Sequence, residues 1–313
     1  MVSLIVPIYN EEEVFHLCYA KIKETMEKCG EKYEIIFIND GSKDKSLELL
    51  KECQSVDETV KVLSFSRNFG HQNAVSCGME HAVGDCAVII DADLQDPPEV
   101  IYEMIAKWKE GYEIVYGKRL KRHGETAFKK VTAKVYYKIV DSLADVKIPR
   151  DAGDFRLIDR KVINTIVDMK EHNRYLRGMN GWAGYKTTAV EFVRMERAAG
   201  ETKYTMKKML KLASDGIISN SNKPLFLAMK FGIFFLILSG LGMIALIVLE
   251  ILAVVGTIGN APSLVFWICD MTILSASVVL IFQGIQNMYI ARLYDEAKNR
   301  PNYIVSEKYG FGK

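Results

Sequence analysis

The sequence predicts an α/β domain on a mostly parallel sheet, followed by a pair of long apolar helices. Three observations carry this. Apolar, β-branched runs alternate with segments of helical period through the first part of the chain. Polar residues gather at every junction from run to helix. Between Phe231 and Ala291 the only charged side chains are Glu250 and Asp270, in a chain of 313 residues with net charge +2.

The strand-like runs are Val2–Pro7, Tyr33–Ile38, Val60–Phe65, Cys86–Ile90 and Glu113–Tyr116. Helix-period segments lie between them, at about Glu12–Cys29, Lys45–Cys53, Asn73–Ala82 and Glu99–Glu110. Such alternation makes successive strands parallel and puts helices on both faces. Four polar junctions then share one sheet edge: Tyr9-Asn10-Glu11, Asp40-Gly41-Ser42, Arg67-Asn68-Phe69-Gly70 and Asp91–Asp96. Open α/β sheets bind their ligands at that edge, outside the carboxyl ends of the strands.

Farther on, Glu125–Asp145 sets Phe128, Val131, Val135, Ile139 and Leu143 at helical spacing against Lys129, Lys130, Lys134 and Lys138. Tyr204–Ser219 repeats the pattern. Both predict basic amphipathic interface helices that suit an anionic surface. Phe231–Leu249 and Met271–Ala291 are each long enough to cross roughly 30 Å of hydrocarbon at about 1.5 Å per residue. Lys223 and Lys230 before them, and Arg292, Lys298 and Arg300 after them, predict cytoplasmic ends. The expected organisation is a cytoplasmic α/β domain over 1–224, a two-helix transmembrane hairpin over 225–292 and a cytoplasmic tail over 293–313. That describes a multi-pass protein of the cytoplasmic (inner) membrane. The tail, polar beyond Arg300 and carrying Pro301, is expected to be loosely ordered. Met1–Ile8 lacks a basic flank and is not a signal peptide. The six cysteines have no C-x-x-C spacing and read as reduced residues of a cytosolic domain.

The most chemically specific stretch is Asp91-Ala92-Asp93-Leu94-Gln95-Asp96, directly after the apolar run Cys86–Ile90. Carboxylates crowded at the end of a buried strand repel one another and resist burial. A divalent cation relieves both problems, and oxygen ligands suit Mg²⁺ or Mn²⁺. Mg²⁺ is usually held by one or two carboxylates together with substrate phosphates, so a phosphorylated ligand is expected. A dinucleotide-binding fingerprint is excluded. That site needs G-x-G-x-x-G after the first strand, and Glu11-Glu12-Glu13 stands there instead, repelling a bare pyrophosphate. The five histidines show no metal-ligand spacing, and no feature points to nucleic acid.

Val6-Pro7-Ile8-Tyr9-Asn10-Glu11, Asn39-Asp40-Gly41-Ser42, Arg67-Asn68-Phe69-Gly70-His71, Asp91–Glu99 and Ala152-Gly153-Asp154-Phe155-Arg156-Leu157 together resemble the ordered motifs of inverting family 2 glycosyltransferases. The likeness runs over nearly the whole chain and is closest to polyprenyl-phosphate glycosyltransferases of the bactoprenol-glucosyltransferase and dolichol-phosphate-mannose-synthase-like group. It implies a GT-A, Rossmann-like fold and transfer of a sugar, glucose foremost, from a UDP-sugar to polyprenyl (undecaprenyl) phosphate. N-acetylglucosamine, an aminoarabinose-type sugar or mannose from GDP-mannose would need only small pocket changes. Pro7, Tyr9, Glu11, Asp40, Arg67, Asn68 and Asp91 would bind the nucleotide-sugar, with Asp40 reading the base. Asp91, Asp93 and Gln95 would hold the metal. The resemblance also suggests a homo-oligomer, a tetramer. Many relatives have Asp-Asp-Gly-Ser where this chain has Asn39-Asp40-Gly41-Ser42; the base-reading aspartate is kept.

A phosphate acceptor is already mostly dianionic at pH 7, with a second pKa of about 6, so a strong general base is unnecessary. Cationic positioning is what it needs, and arginine supplies this with a bidentate fork. Arg156, Arg177, Arg197 and Lys203 are the expected acceptor-phosphate residues, and Arg119 is expected to meet a phosphate in the cleft. Asp93, Asp154 and Arg119 form the expected catalytic set. Asp154 has three open roles: orienting a sugar hydroxyl, organising the arginines, or acting as a base. Trp182 reads equally as a sugar-stacking or a core residue. A processive polysaccharide synthase would show a Q-x-x-R-W signature, absent here, and a non-catalytic scaffold would not need intact aspartates.

Overall fold

Alternating apolar residues in the first strands build both faces of the sheet. The computed structural model describes residues 1–120, 152–193 and 264–311, with isolated positions at 248, 251 and 255. In β1 (Val2–Ile8), Leu4, Val6 and Ile8 pack into one core layer and Ile5 into the other. In β2 (Tyr33–Asn39), Ile35 and Phe37 likewise oppose Ile36 and Ile38. The period of two sends neighbours to opposite faces. A strand buried on both sides therefore reads as an unbroken apolar run.

Helices α1 (Phe15–Cys29), α2 (Ser46–Val56) and α4 (Val100–Lys109) carry buried residues of the first layer. Helices α3 (His71–His81), α5 (Arg160–Asp168) and α6 (Leu176–Ala183) carry those of the second. Phe15, Cys18, Ile22 and Met26 of α1 are fully or almost fully buried at helical spacing. Full burial of such a side chain contributes about 1.5–3 kcal/mol. Among the described residues Cys18, Cys53, Cys77 and Cys86 are buried and unbridged, as expected. Burial pushes the thiols of Cys18, Cys77 and Cys86 up to about 12, leaving them inert.

The sheet runs β7-β5-β6-β4-β1-β2-β3-β8, with β3 (Val60–Phe65), β4 (Cys86–Ile89), β5 (Ile114–Arg119), β6 (Ala152–Asp159), β7 (Thr187–Phe192) and β8 (Val305–Tyr309). Its centre, β3-β2-β1-β4, is parallel, so all four expected polar junctions meet at one edge. β6 enters antiparallel between β4 and β5, and β8 is antiparallel to β3. Asp154 lies in β6. Pairing runs from Cys86↔Asp159 to Ile89↔Arg156. Beyond these pairs the two segments stay close, with Asp91 and Asp154 both within 3.7 Å of His71 Nε2. The pairing of β5 with β6 shifts between Tyr116 and Lys118, where three residues of β6, from Gly153 to Phe155, stand opposite the single Gly117, so the bulge falls in β6 at Asp154.

Two expectations are corrected. The C-terminal tail is ordered, because the edge strand β3 leaves backbone groups that β8 satisfies. The multi-pass membrane location and the transmembrane hairpin are not supported: among the described residues no helix is long and apolar enough to cross a membrane. Helix α7 (Leu264–Lys298) covers the second expected span, Met271–Ala291. Exposed Gln283, Gln286 and Asn287, with charged Asp295, Glu296 and Lys298 beyond them, break the apolar run that composition suggested. The first expected span, 231–249, lies outside the described residues apart from Val248. So do the two expected amphipathic helices.

Away from the cleft, Asp57 closes a compact network. Its carboxylate accepts from Lys23 Nζ (2.7 Å), Tyr19 Oη (2.6 Å), and Thr59 N (2.9 Å) and Oγ1 (2.6 Å). Burial by itself would raise its pKa, but the bonds from Lys23, Thr59 and Tyr19 outweigh burial and hold it well below the ordinary 3.8. Its contribution to stability is therefore complete above about pH 4 and is lost as pH falls toward the folded value. Asp57→Asn is expected to cost about 2–3 kcal/mol at pH 7, allowing for the partial exposure of Lys23. The deficit should shrink below pH 4, as read by thermal unfolding across pH.

Candidate active site

The loops after β1 and β2 are stitched together by short polar residues. Asn10 takes a positive φ of 55°, its N–H donates to Ser42 Oγ (3.0 Å), and its Oδ1 accepts from Lys43 N (2.8 Å). Glu11 N donates to Ser46 Oγ (3.0 Å). Asn39, the departure from the familiar Asp-Asp pattern, is buried and uses both ends of its amide. Nδ2 donates to Ser64 Oγ (2.9 Å), and Oδ1 accepts from Ser42 N (3.1 Å). An ionised aspartate could keep the first contact only by accepting from the Ser64 hydroxyl.

Asp40 is buried at the mouth of β2. Its carboxylate accepts from Phe69 N (2.7 Å), Gly70 N (3.0 Å) and Asn68 Nδ2 (2.9 Å). Burial raises its pKa, opposed by the two backbone bonds and by His71 and Arg67. Three bonds leave room for one more donor among about four acceptor positions. Gly41 explains how the loops meet. Its φ is +65°, and a Cβ there would stand 2.4 Å from the Arg67 carbonyl carbon, so any side chain would drive the two loops apart. Arg67 lies with its guanidinium carbon 4.0 Å over the Phe69 ring. Pro7 and Tyr9 lie at the end of β1, Tyr9 exposed.

On the β4 side, Asp93 Oδ1 accepts from Gln95 N (3.1 Å), and Leu94 is held at φ 54°. Asp91 is 34% exposed, yet its pKa is raised, first by desolvation and then by the neighbouring charges of Asp154, Asp93 and Asp96, with His71 opposing. This excess of negative charge is what a cation would relieve, so the donor set fits Mg²⁺ or Mn²⁺. Among the described residues no group of three or more His, Cys, Asp and Glu forms a metal cage.

Opposite Asp91 stands the arginine cluster. Arg177, on α6, grips Asp154 through Nε (2.8 Å) and Nη2 (3.0 Å). Arg156 lies with Nη2 3.9 Å from the same carboxylate and donates to Gly153 O (2.8 Å). Burial would raise the pKa of Asp154, but Arg177, His71 and Arg156 hold it far below the carboxylate range. Desolvation lowers Arg156 to about 10, so it remains a cation at neutral pH. His71, to which the sequence assigned no role, bridges the halves of the cleft. Its Nε2 is 3.7 Å from Asp91 Oδ1 and 3.6 Å from Asp154 Oδ2. Arg119 Nη2 pairs with the buried Asp96 (3.1 Å). Gly153 lies beneath it, where a Cβ would sit 2.5 Å from that nitrogen.

Thus Asp91, Asp154, Arg156 and Arg177 converge with His71, and Asp93, Gln95 and Arg119 stand beside them. Pro7, Tyr9, Glu11, Asp40, Arg67 and Asn68 line the β1–β3 half. Arg197 and Lys203 lie outside the described residues. Trp182 is 70% exposed and is not a core residue. His71 and Asp96 were missed although both lie in conspicuous motifs. A helix-start histidine and the last acid of the cluster were their only signals.

The glycosyl transferase family 2 model matches residues 3–167. The uncharacterized glycosyltransferase YkcC of Bacillus subtilis (strain 168) is 51% identical over 310 residues, covering 98% of this chain and 94% of that one. The SfII prophage-derived bactoprenol glucosyl transferase of Shigella flexneri is 38% identical over 308 residues, covering 98% of both. Among solved structures, the mannosyltransferase PcManGT of Pyrobaculum calidifontis, in complex with GDP-Man and Mn²⁺, is 15% identical. It has a TM-score of 0.46 over 95% of this chain and 86% of that one. With a family match over more than half its length and full-length relatives at 51% and 38% identity, this chain belongs to glycosyl transferase family 2.

Proposed function

We propose that the protein transfers glucose from UDP-glucose to polyprenyl phosphate with inversion. The likeness to bactoprenol glucosyl transferases over nearly the whole chain supports this acceptor class. The observation that carries the reading is the meeting, across His71, of the Asp91 end of β4 with the Asp154–arginine cluster of β6 and α6. One half suits a cation-bound diphosphate, and the other suits an anionic acceptor.

Asp40 and Asn68 hold the loop that receives the nucleoside, and the remaining acceptor position of Asp40 suits a base N–H. Asp91 and Asp93, with Gln95, would hold Mg²⁺ or Mn²⁺, which supplies charge neutralisation to the diphosphate leaving group. Arg177 and Arg156 place the acceptor phosphate. A phosphate oxygen forms the new bond to the anomeric carbon while that carbon's bond to the diphosphate oxygen breaks, and UDP departs. Asp154 is committed to Arg177 by two bonds, which favours the arginine-organising role over that of a base. Arg119, fixed by Asp96, completes the cationic side.

Purified protein given labelled UDP-glucose, undecaprenyl phosphate in detergent and Mg²⁺ is expected to yield organic-soluble label. UDP-N-acetylglucosamine and GDP-mannose are expected to be poorer donors. No lipid product from any donor would defeat the proposal, and a better yield from another donor would reassign the sugar.

A further inference from the structure

The C-terminal segment takes no part in the transfer chemistry above, yet it braces the donor side of the cleft. Ser66, just past β3, donates its N–H to Ile304 O (3.1 Å), and Ser306 Oγ donates to Ser64 O (3.0 Å). The Tyr303 ring stacks on Phe65 with centroids 5.0 Å apart and planes 14° apart. Phe65 in turn meets Phe69 edge-on, at 5.7 Å and 90°. Phe69 carries the Arg67 guanidinium on its face and gives its N–H to Asp40. A continuous aromatic path therefore leads from the tail to the two residues that flank the nucleoside position.

The segment is well anchored for such a task. Lys51 pairs with Glu307 (2.7 Å). On the other side, His172 N–H donates to Glu296 Oε1 (2.8 Å), and His172 Nδ1 is 2.9 Å from Asn302 Oδ1. Tyr303 also bonds to Glu80 through its hydroxyl. By contrast the loop it supports is open, with Ser66, Arg67 and Asn68 all exposed. An exposed loop keeps one conformation only if its few buried groups are held. Here those groups are the partly buried Phe69, against Phe65, and the backbone bonds to Asp40.

We propose that Tyr303 is a positioning residue for the nucleotide of the donor. Stacked on Phe65, it fixes Phe69 and thereby the Arg67-Asn68 loop in the form that accepts a nucleoside diphosphate. This rests on the donor reading of Asp40, Arg67 and Asn68. Aromatic pairs of this kind are modest in strength, so a partial loss of affinity is expected rather than abolition.

The test measures UDP binding in the presence of Mg²⁺ by calorimetry on the full chain, with steady-state kinetics alongside. Tyr303→Ala is expected to weaken UDP binding about threefold to tenfold, to raise the KM for UDP-glucose by a similar factor and to leave kcat within about twofold. Tyr303→Leu fills the space without a ring and should behave like Tyr303→Ala, which keeps the test decisive if the alanine variant folds poorly. Tyr303→Phe keeps the stack and should bind UDP within about twofold of wild type. Wild-type affinity in both Tyr303→Ala and Tyr303→Leu would overturn the positioning role while leaving the donor reading intact. A loss in Tyr303→Phe equal to that in Tyr303→Ala would overturn it too, by assigning the effect to the bond with Glu80. Wild-type protein that binds no UDP would overturn the donor reading, and the positioning role with it.

Discussion

Asp154→Asn is expected to lower both stability and transfer rate, by about 3–5 kcal/mol and at least about 10²-fold. The carboxylate faces Arg177 at 2.8 and 3.0 Å and Arg156 at 3.9 Å, and it is only 18% exposed. Removing one partner of a largely buried charge cluster leaves the others uncompensated, which typically costs about 3–5 kcal/mol. The rate falls for a second reason: arginines no longer clamped by Asp154 cannot present a preorganised face to an anion, an effect of roughly 10²–10³ at comparable sites. Asp154→Asn combined with Arg177→Gln separates the two. The pair should recover much of the lost stability, because the excess positive charge is removed, but none of the activity. Thermal melts and initial rates on the two single variants and the double variant form the required cycle. Recovery of activity in the double variant would show that the cluster is structural only.

Asp91→Asn is expected to behave in the opposite way. Its charged form is disfavoured by desolvation and by Asp154, Asp93 and Asp96, so a neutral isostere relieves repulsion at pH 7. Stability should hold or rise, by up to about 1 kcal/mol once solvent screening of this partly exposed group is allowed for. Transfer should nevertheless fall about 10³-fold or more, because the site loses a ligand for the cation that neutralises the diphosphate. A variant that melts no lower than wild type and yet is inactive would mark Asp91 as kept for function at a cost in stability. Retained activity would remove it from the metal set.

The parallel half of the fold was legible because strands buried on both faces read as unbroken apolar runs. The expected strands Tyr33–Ile38 and Val60–Phe65 agree with the observed ones to within a residue at each end. The second half was harder. β6 carries Asp154 and Arg156 among its apolar residues, and these charges neutralise one another only when α6 brings Arg177 across. β8, with Glu307 and Lys308, has the polar composition natural to an edge strand. In isolation it looked like a disordered tail. The apolar run Met271–Ala291 shows the converse error. Composition suggested a membrane span, whereas the exposed amides of Gln283, Gln286 and Asn287 interrupt the helix surface.

The sequence by itself determined the parallel sheet, the edge on which the polar junctions meet and the acidic residues at the end of β4. Each of these follows from local periodicity and from the chemistry of adjacent residues. Only the tertiary structure decided what those acids face. Asp91 and Asp154 are 63 residues apart in the chain and meet around His71 once β6 enters beside β4. Arg177 reaches Asp154 because α6 packs in the same core layer as α3 and α5, and Tyr303 reaches Phe65 because β8 closes the sheet edge. Contacts between distant segments depend on which strands become neighbours in the sheet, and no local pattern of residues encodes that order.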